Sequence, residues 1–438
     1  MSGTRTWWCE HAWVDGRVAE GVLVTATDGV IGAVTPGAPP AGTRLRGLVI
    51  PGLANAHSHA FHRALRSHTQ RGEGSFWTWR EAMYRVAERL TPQAYLALAR
   101  ATYAEMALAG VTAVGEFHYL HHGPGGVPYA DPNEMGHALI AAAADVGVRL
   151  TLLDACYLTA GAAGDPLQGP QLRFSDGDAD RWADRIGKIT AAEHVIVGAA
   201  VHSVRAVPPA DMKKVAAWAG ERRVPLHVHS SEQVAEVEQC RAEFGGTPTA
   251  VLSEHGVLGP RTTAVHATHL TGSDLAEMAR TGTGTCFCPT TERDLGDGIG
   301  PARALIAGRF SLGSDSHAVI DLFEEARAVE LDERLAARRR GAFRADRLVE
   351  AVTRDGQLTL GWEDAGRIAP GFRADLVAVD LGSVRTAGGG ATAENVVFAA
   401  SAADVTDVVV DGRTVVTDRR HRLDVGQALS EAIGALWT

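Results

Sequence analysis

One feature limits the fold of this 438-residue chain more than any other: short apolar runs alternate with long helical patterns over most of its length. The runs fall at 48–54, 111–117, 149–154, 195–200, 224–228, 263–267, 283–287 and 310–313. Between them lie amphipathic stretches such as 92–109, where Thr91 can cap and Pro92 opens the first turn. Further helices are expected over 232–244 and 322–339. Strands buried on both faces and separated by helices imply a parallel sheet. Eight such units fit a closed, TIM-like (β/α)8 barrel better than an open doubly wound sheet. The barrel is expected to occupy 51–365.

The flanks read differently. Residues 19–25 and 30–34 alternate as strands around an Asp28-Gly29 turn, and two valine-rich runs meet at Asp411-Gly412, a strong hairpin signal. Both ends, 1–50 and 366–438, are expected to join in a small β-sandwich domain. Lys and Arg number 42 against 52 Asp and Glu, a net charge of −10, which argues against nonspecific nucleic-acid binding. Five cysteines show no disulfide spacing, and no apolar run is long enough for a membrane span. A cytoplasmic protein is expected.

Polar residues capable of holding a metal end four of the eight runs. His57 and His59 stand two apart at the end of the first, so at strand period their side chains point the same way. The fifth ends in His229 with Glu232 three beyond, the sixth in His266, and the eighth runs into Asp315. In a (β/α)8 barrel these ends converge on one mouth. His57, His59, His229 and Asp315 give three nitrogens and one oxygen, a set suited to one Zn2+, although Fe2+ and Mn2+ fit it too. Zinc lowers the pKa of a water it binds to around 7. Glu232 is then free to move protons, His266 to hydrogen-bond the reacting groups (His269 being the competing choice), and Asp315 to orient the water as well as hold the metal. The chemistry expected is metal-assisted hydrolysis of a C–N bond.

The substrate side is drawn from other residues. The segment 75–80, SFWTWR, sets Arg80 among aromatics after the first strand, and His202 and Arg205 follow the fourth. Tyr119 follows the second. Two arginines and a phenol suggest an acidic substrate. Cys286 and Cys288 read as core residues. The Gly123–126 and Gly296–298 stretches read as loop punctuation, and Asp131, Asp176, Asp178 and Asp180 as solvated loop residues. His121 and His122 are placed either at the mouth or on the surface.

The motifs NAHSHAFHRAL, SFWTWREAMYR, GEFHYLHH, AVHSVRAV, LHVHSSEQ, VHATH, CFCPTTERDLGDG and GSDSH, spanning 55–317, resemble the amidohydrolase superfamily. Within it they resemble the formimidoylglutamate deiminases of histidine degradation. The resemblance implies zinc ligands at His57, His59, His229 and Asp315 and an acid/base pair at Glu232 and His266. It implies substrate contacts at Arg80, Tyr119, His202 and Arg205, and a homodimer. His62 stands where that pattern has glutamine, and histidine can carry charge near neutral pH. The rival readings are another deaminase of the superfamily, acting on formimidoyl-aspartate, guanine or cytosine, and a non-catalytic scaffold. A cyclic-amide hydrolase with a carboxylated lysine is disfavoured, because Lys188, Lys213 and Lys214 all lie away from the strand ends.

Overall fold

A computed structural model describes residues 3–70, 74 and 76–437. Two eight-stranded sheets organise them. In chain order the strands are β1 (Thr4–Val14), β2 (Arg17–Thr27), β3 (Val30–Thr35), β4 (Thr43–Pro51), β5 (Leu53–Ser58), β6 (Val111–His118), β7 (Arg149–Cys156) and β8 (Val195–Val201). They continue with β9 (Leu226–Ser230), β10 (Thr262–His266), β11 (Gly284–Phe287), β12 (Phe310–Leu312), β13 (Leu376–Val379), β14 (Val405–Val410), β15 (Arg413–Thr417) and β16 (Arg420–His421).

Strands β5 to β12 run parallel in sequence order, and β12 returns to β5 through a bridge between Ser58 and Asp315. The expected (β/α)8 barrel is therefore present. Its strands are buried along almost their whole length, which is why they read as continuous apolar runs. The second sheet is mixed, in the order β16-β15-β14-β13-β4-β1-β2-β3, so strands from the two chain ends meet where β13 pairs antiparallel with β4. Asp411 and Gly412 both take positive φ in the β14–β15 hairpin, as do Asp28 and Gly29 between β2 and β3.

The first barrel strand departs from expectation. The run 48–54 is split at Gly52 between β4 of the mixed sheet and β5 of the barrel. A Cβ at Gly52 would stand 2.3 Å from Thr112 Oγ1, so only glycine lets the chain pass between the sheets there. Apolar character continues through the junction, and the sequence therefore shows one strand where there are two.

Arg149, the first residue of β7, is fully buried and binds Asp375 and Asp411, with its guanidinium over Trp362. This clamp fastens the N-terminal end of the barrel to the mixed sheet and leaves the opposite end open. Among the described residues no helix is long and apolar enough to cross a membrane.

Candidate active site

The C-terminal ends of the barrel strands bring four side chains together. His57 and His59 come from the end of β5, His229 from β9, and Asp315 from just past β12. Their donor atoms lie within 4.8 Å of one another, and all four residues are buried. His57 Nε2 is 3.0 Å from His229 Nε2 and 3.3 Å from Asp315 Oδ1, and His59 Nε2 is 3.2 Å from the same oxygen.

The donor set fits a divalent metal. Bonds of about 2.0–2.2 Å in a tetrahedron put ligand atoms about 3.3–3.6 Å apart, close to the separations seen. His59 Nδ1 donates to the Phe117 carbonyl at 2.8 Å and His229 Nδ1 to the His202 carbonyl at 3.0 Å. Each ring thus keeps its Nε2 lone pair for the centre of the cluster. Burial keeps the His57 imidazole from protonating, lowering its pKa to about 4. Burial works the other way on Asp315, but its neighbours His57 and His59 outweigh it and hold the carboxyl well below its usual range. Neutral imidazoles and an ionised carboxylate are the forms that bind a metal.

Beside this cluster stand Glu232 and His266. Glu232 was expected to begin a helix, but the helix starts at Val234. Ser231 takes φ 55, and the Glu232 N–H donates to Glu236 Oε2 at 2.9 Å, which turns the Glu232 side chain toward the cavity. Its Oε1 lies 3.8 Å from His266 Nε2. His266 closes β10 in a left-handed conformation, and its Nδ1 faces Glu292 Oε1 at 3.4 Å. Burial would discharge this ring, yet the Glu232 charge, the Glu292 hydrogen bond and Asp315 together push its pKa well above the ordinary value. His269 turns away and donates to the Asp297 carbonyl at 2.8 Å. Of the two histidines in VHATH, His266 is the one that lines the cavity. Left-handed non-glycine residues cluster here: Ser231, His266, Ala267, Asp315 and His317. Each costs about 1–3 kcal/mol, a strain that gathers at functional sites.

A cavity opens above the cluster, and His62, Arg80, Tyr119, His202 and Arg205 all line it. His62 sits in the short helix Ala60–Leu65, and its Nε2 is 2.8 Å from the Tyr119 hydroxyl. Burial, then the neighbouring His59, keeps this imidazole well below its usual pKa, so the charge anticipated for it is not carried. Arg80 Nε donates to the Tyr84 hydroxyl at 2.5 Å. Residues 76–80 open the helix Phe76–Arg89, and Trp79 and Arg80 line the cavity. Ser75 and the side chains of residues 76 and 77 lie outside the described residues.

Further residues of the site have no mark in the sequence pattern. Tyr84, Tyr157 and Phe174 complete the cavity wall. Glu116, in the middle of GEFHYLHH, accepts from Ser58 Oγ at 2.8 Å and from the Ala60 N–H at 2.7 Å, and so fixes the backbone on either side of His59. Burial raises its pKa to about 7. Glu292 and Asp297 follow β11 within CFCPTTERDLGDG.

Other expectations need correction. His121 and His122 are buried and line neither the cavity nor the surface. Asp176 is not solvated: Arg185 bridges it to Asp154, and His122 Nε2 lies 3.0 Å from it. His118, His121 and Asp154 also form a close group, but there the Arg185 guanidinium already supplies the positive charge. Asp131, Asp178 and Asp180 lie toward the surface as expected, pairing with His137, Arg181 and Lys214, but Asp178 caps and Asp180 opens the helix Ala179–Ile186 where a loop was expected. Cys286 and Cys288 pack with Ala56 and Val265 in the core, also as expected.

Known proteins share this arrangement. The model of the amidohydrolase family matches residues 48–415. A formimidoylglutamate deiminase of Pseudomonas aeruginosa is 40% identical over 415 residues, covering 90% of this chain and 91% of that protein. An 8-oxoguanine deaminase of the same organism is 29% identical over 85% of this chain and 82% of that protein. The crystal structure of an amidohydrolase from Brucella melitensis superposes with a TM-score of 0.91 at 34% identity, covering 99% of this chain and 100% of that one. A zinc-bound adenosine deaminase from Xanthomonas campestris, 24% identical, shares the fold at a TM-score of 0.85 over 98% and 97% of the two chains. With its barrel, its His/His/His/Asp cluster and a family match over most of its length, this chain belongs to the amidohydrolase family and carries that family's divalent-metal site for hydrolytic deamination.

Proposed function

We propose that the protein hydrolyses N-formimidoyl-L-glutamate to N-formyl-L-glutamate and ammonia, with His57, His59, His229 and Asp315 as ligands of one zinc ion. The observation that carries this reading is the convergence of Arg80 and Arg205 on the cavity that holds the metal cluster. Two guanidiniums match the two carboxylates of a glutamate side chain and backbone. The 40% identity to a formimidoylglutamate deiminase supports the same choice.

A zinc ion held by His57, His59, His229 and Asp315 would supply Lewis acidity, the chemistry that makes a water nucleophilic near neutral pH. Glu232 accepts a proton from that water and returns it to the terminal nitrogen of the formimidoyl group. A second proton follows the same route as the C–N bond breaks, so ammonia leaves and a carbonyl remains. His266, held at Nδ1 by Glu292, presents Nε2 to the developing charge on oxygen. Asp315 keeps its second oxygen free to orient the water. Tyr119 and His62, joined at 2.8 Å, and His202 line the wall between the reacting carbon and the arginines.

A homodimer belongs to this reading on the resemblance, and a cytoplasmic location, a catalytic barrel at 51–365 and a second domain from 1–50 and 366–438 belong to it on the pattern of the sequence. The strand at the first boundary ends at Pro51.

The test is ammonia release by zinc-loaded protein from N-formimidoyl-L-glutamate, N-formimidoyl-L-aspartate, guanine and cytosine, with Glu232→Gln as control. Release from the glutamate compound alone, lost in the control, is the expected result. Release from a ring base instead would favour the second reading, an aromatic-ring deaminase, to which Tyr84, Tyr157 and Phe174 in the cavity wall lend support.

A further inference from the structure

Glu232, His266 and Asp297 form a second group of potential ligands, with donor atoms within 4.8 Å of one another and all three residues buried. Asp297 has no part in the chemistry described above. Its Oδ1 accepts from Gln233 Nε2, whereas its Oδ2 is buried and has no hydrogen-bond partner. The residue itself is 4% exposed. A buried carboxylate oxygen without a donor is costly unless a cation or proton faces it.

The neighbours of this group are arranged as around a metal. His266 Nδ1 is held by the Glu292 carboxylate at 3.4 Å, the carboxylate–imidazole pairing that turns Nε2 toward an ion and raises its basicity. Nε2 lies 3.8 Å from Glu232 Oε1, near the spacing of two ligands on one ion. Asp315 faces both groups, Oδ1 toward His57 and His59 and Oδ2 toward His266 Nε2 at 4.0 Å. The His118/His121/Asp154 group differs, since its positive charge comes from Arg185, a guanidinium that cannot give up its proton to a metal as His266 can.

We propose that Glu232, His266 and Asp297 constitute a second, weaker divalent-cation site beside the first, with Asp315 between them, and that filling it inhibits the enzyme. The inhibitory half rests on the acid/base roles proposed for Glu232 and His266: an ion there occupies the Glu232 carboxylate and displaces the proton that His266 holds, so neither can serve the reaction. The lysine-bridged double centre is disfavoured by the sequence, but a carboxylate-bridged pair requires no lysine.

The test uses holoenzyme with one zinc per chain and no excess metal. Zn2+ is added against a chromophoric chelator, bound zinc is counted by mass spectrometry after equilibrium dialysis, and ammonia release is followed in the same samples. A second equivalent is expected to bind more weakly than the first, with the rate falling in step with its occupancy. In Asp297→Asn its affinity should drop more than about ten-fold, and the rate should persist at zinc concentrations that silence the wild type. Asp297→Ser serves if the asparagine variant does not fold. Wild-type protein that stops at one equivalent overturns the site, as does a folded variant that binds the second as tightly. Two equivalents with an undiminished rate overturn the inhibition. Absence of deiminase activity refutes the proposed function instead, and the metal count still decides whether the site exists.

Discussion

Asp315 meets His57 twice. Its backbone N–H donates to the His57 carbonyl at 3.0 Å, and its side-chain Oδ1 lies 3.3 Å from His57 Nε2. The His59 N–H returns a bond to the Asp315 carbonyl at 3.2 Å. The seam that closes the barrel between β5 and β12 is thus made by the residues that would hold the metal, and closure and ligand geometry are one structure.

Gly313 lies in that seam. A Cβ there would stand 2.6 Å from the His57 carbonyl oxygen and 2.7 Å from its nitrogen, both backbone atoms that cannot give way. Gly313→Ala should therefore cost about 1–3 kcal/mol of stability and weaken zinc binding at the same time. Chemical denaturation and a zinc competition assay on the one variant check both. Lost stability with intact zinc affinity would separate the seam from the site.

Metal removal should register in stability as well as activity. A ligand that binds only the folded state at 100 times its Kd adds about 2.7 kcal/mol. Chelation should lower the thermal midpoint and abolish ammonia release, with zinc restoring both. Asp315→Ala should show neither response, because the oxygen facing His57 and His59 is gone.

Glu292 positions His266 without touching the cavity. Losing a partner behind a functional imidazole costs about 10–100-fold in activity, so Glu292→Ala should lower kcat by that order and leave KM nearly unchanged. Glu292→Gln should recover much of the loss, because its amide oxygen can still accept from His266 Nδ1 and from the Cys288 N–H, 2.8 Å away in the native protein. Equal loss in both variants would contradict a positioning role.

Much of this site is legible in the chain itself. An apolar run that ends in His or Asp marks a strand reaching a barrel mouth, and His57, His59, His229, His266 and Asp315 all stand at such points. Glu292 and Asp297 are not legible in that way. They follow β11 in a short helix and turn, where neither strand period nor helical amphipathy assigns a direction. Asp176 reads as a solvated loop residue because its partners, Arg185 and His122, reach it only through tertiary packing. Gly52 is invisible as a junction because the residues around it are apolar in both sheets.

Arg205 offers the sharpest test of an acidic substrate. A charge-assisted hydrogen bond contributes about 1.5–3 kcal/mol, or about 10–150-fold in kcat/KM. Arg205→Gln should show that loss chiefly as a raised KM for N-formimidoyl-L-glutamate. Arg205→Lys should not restore it, because an ammonium lacks the planar fork that grips a carboxylate. An unchanged KM would place the carboxylates elsewhere.

Asp404 provides a pH test remote from the metal. Its side chain is buried, which alone would raise its pKa, but hydrogen bonds from Arg385 and Ser383 and from the Ser401 N–H outweigh this and lower it to about 2. Arg385 Nε and Nη2 reach the two carboxylate oxygens at 2.8 and 2.9 Å. A carboxyl with a folded pKa below its unfolded value of about 3.9 binds more protons when unfolded. Its contribution to stability is therefore complete above about pH 4 and disappears as pH falls toward 2. Asp404→Asn should be less stable than wild type at pH 5, and the two urea midpoints should converge as the pH approaches 2. A gap that stays constant across that window would mean the carboxylate charge is not what fastens the turn Ala402–Asp404 to Arg385.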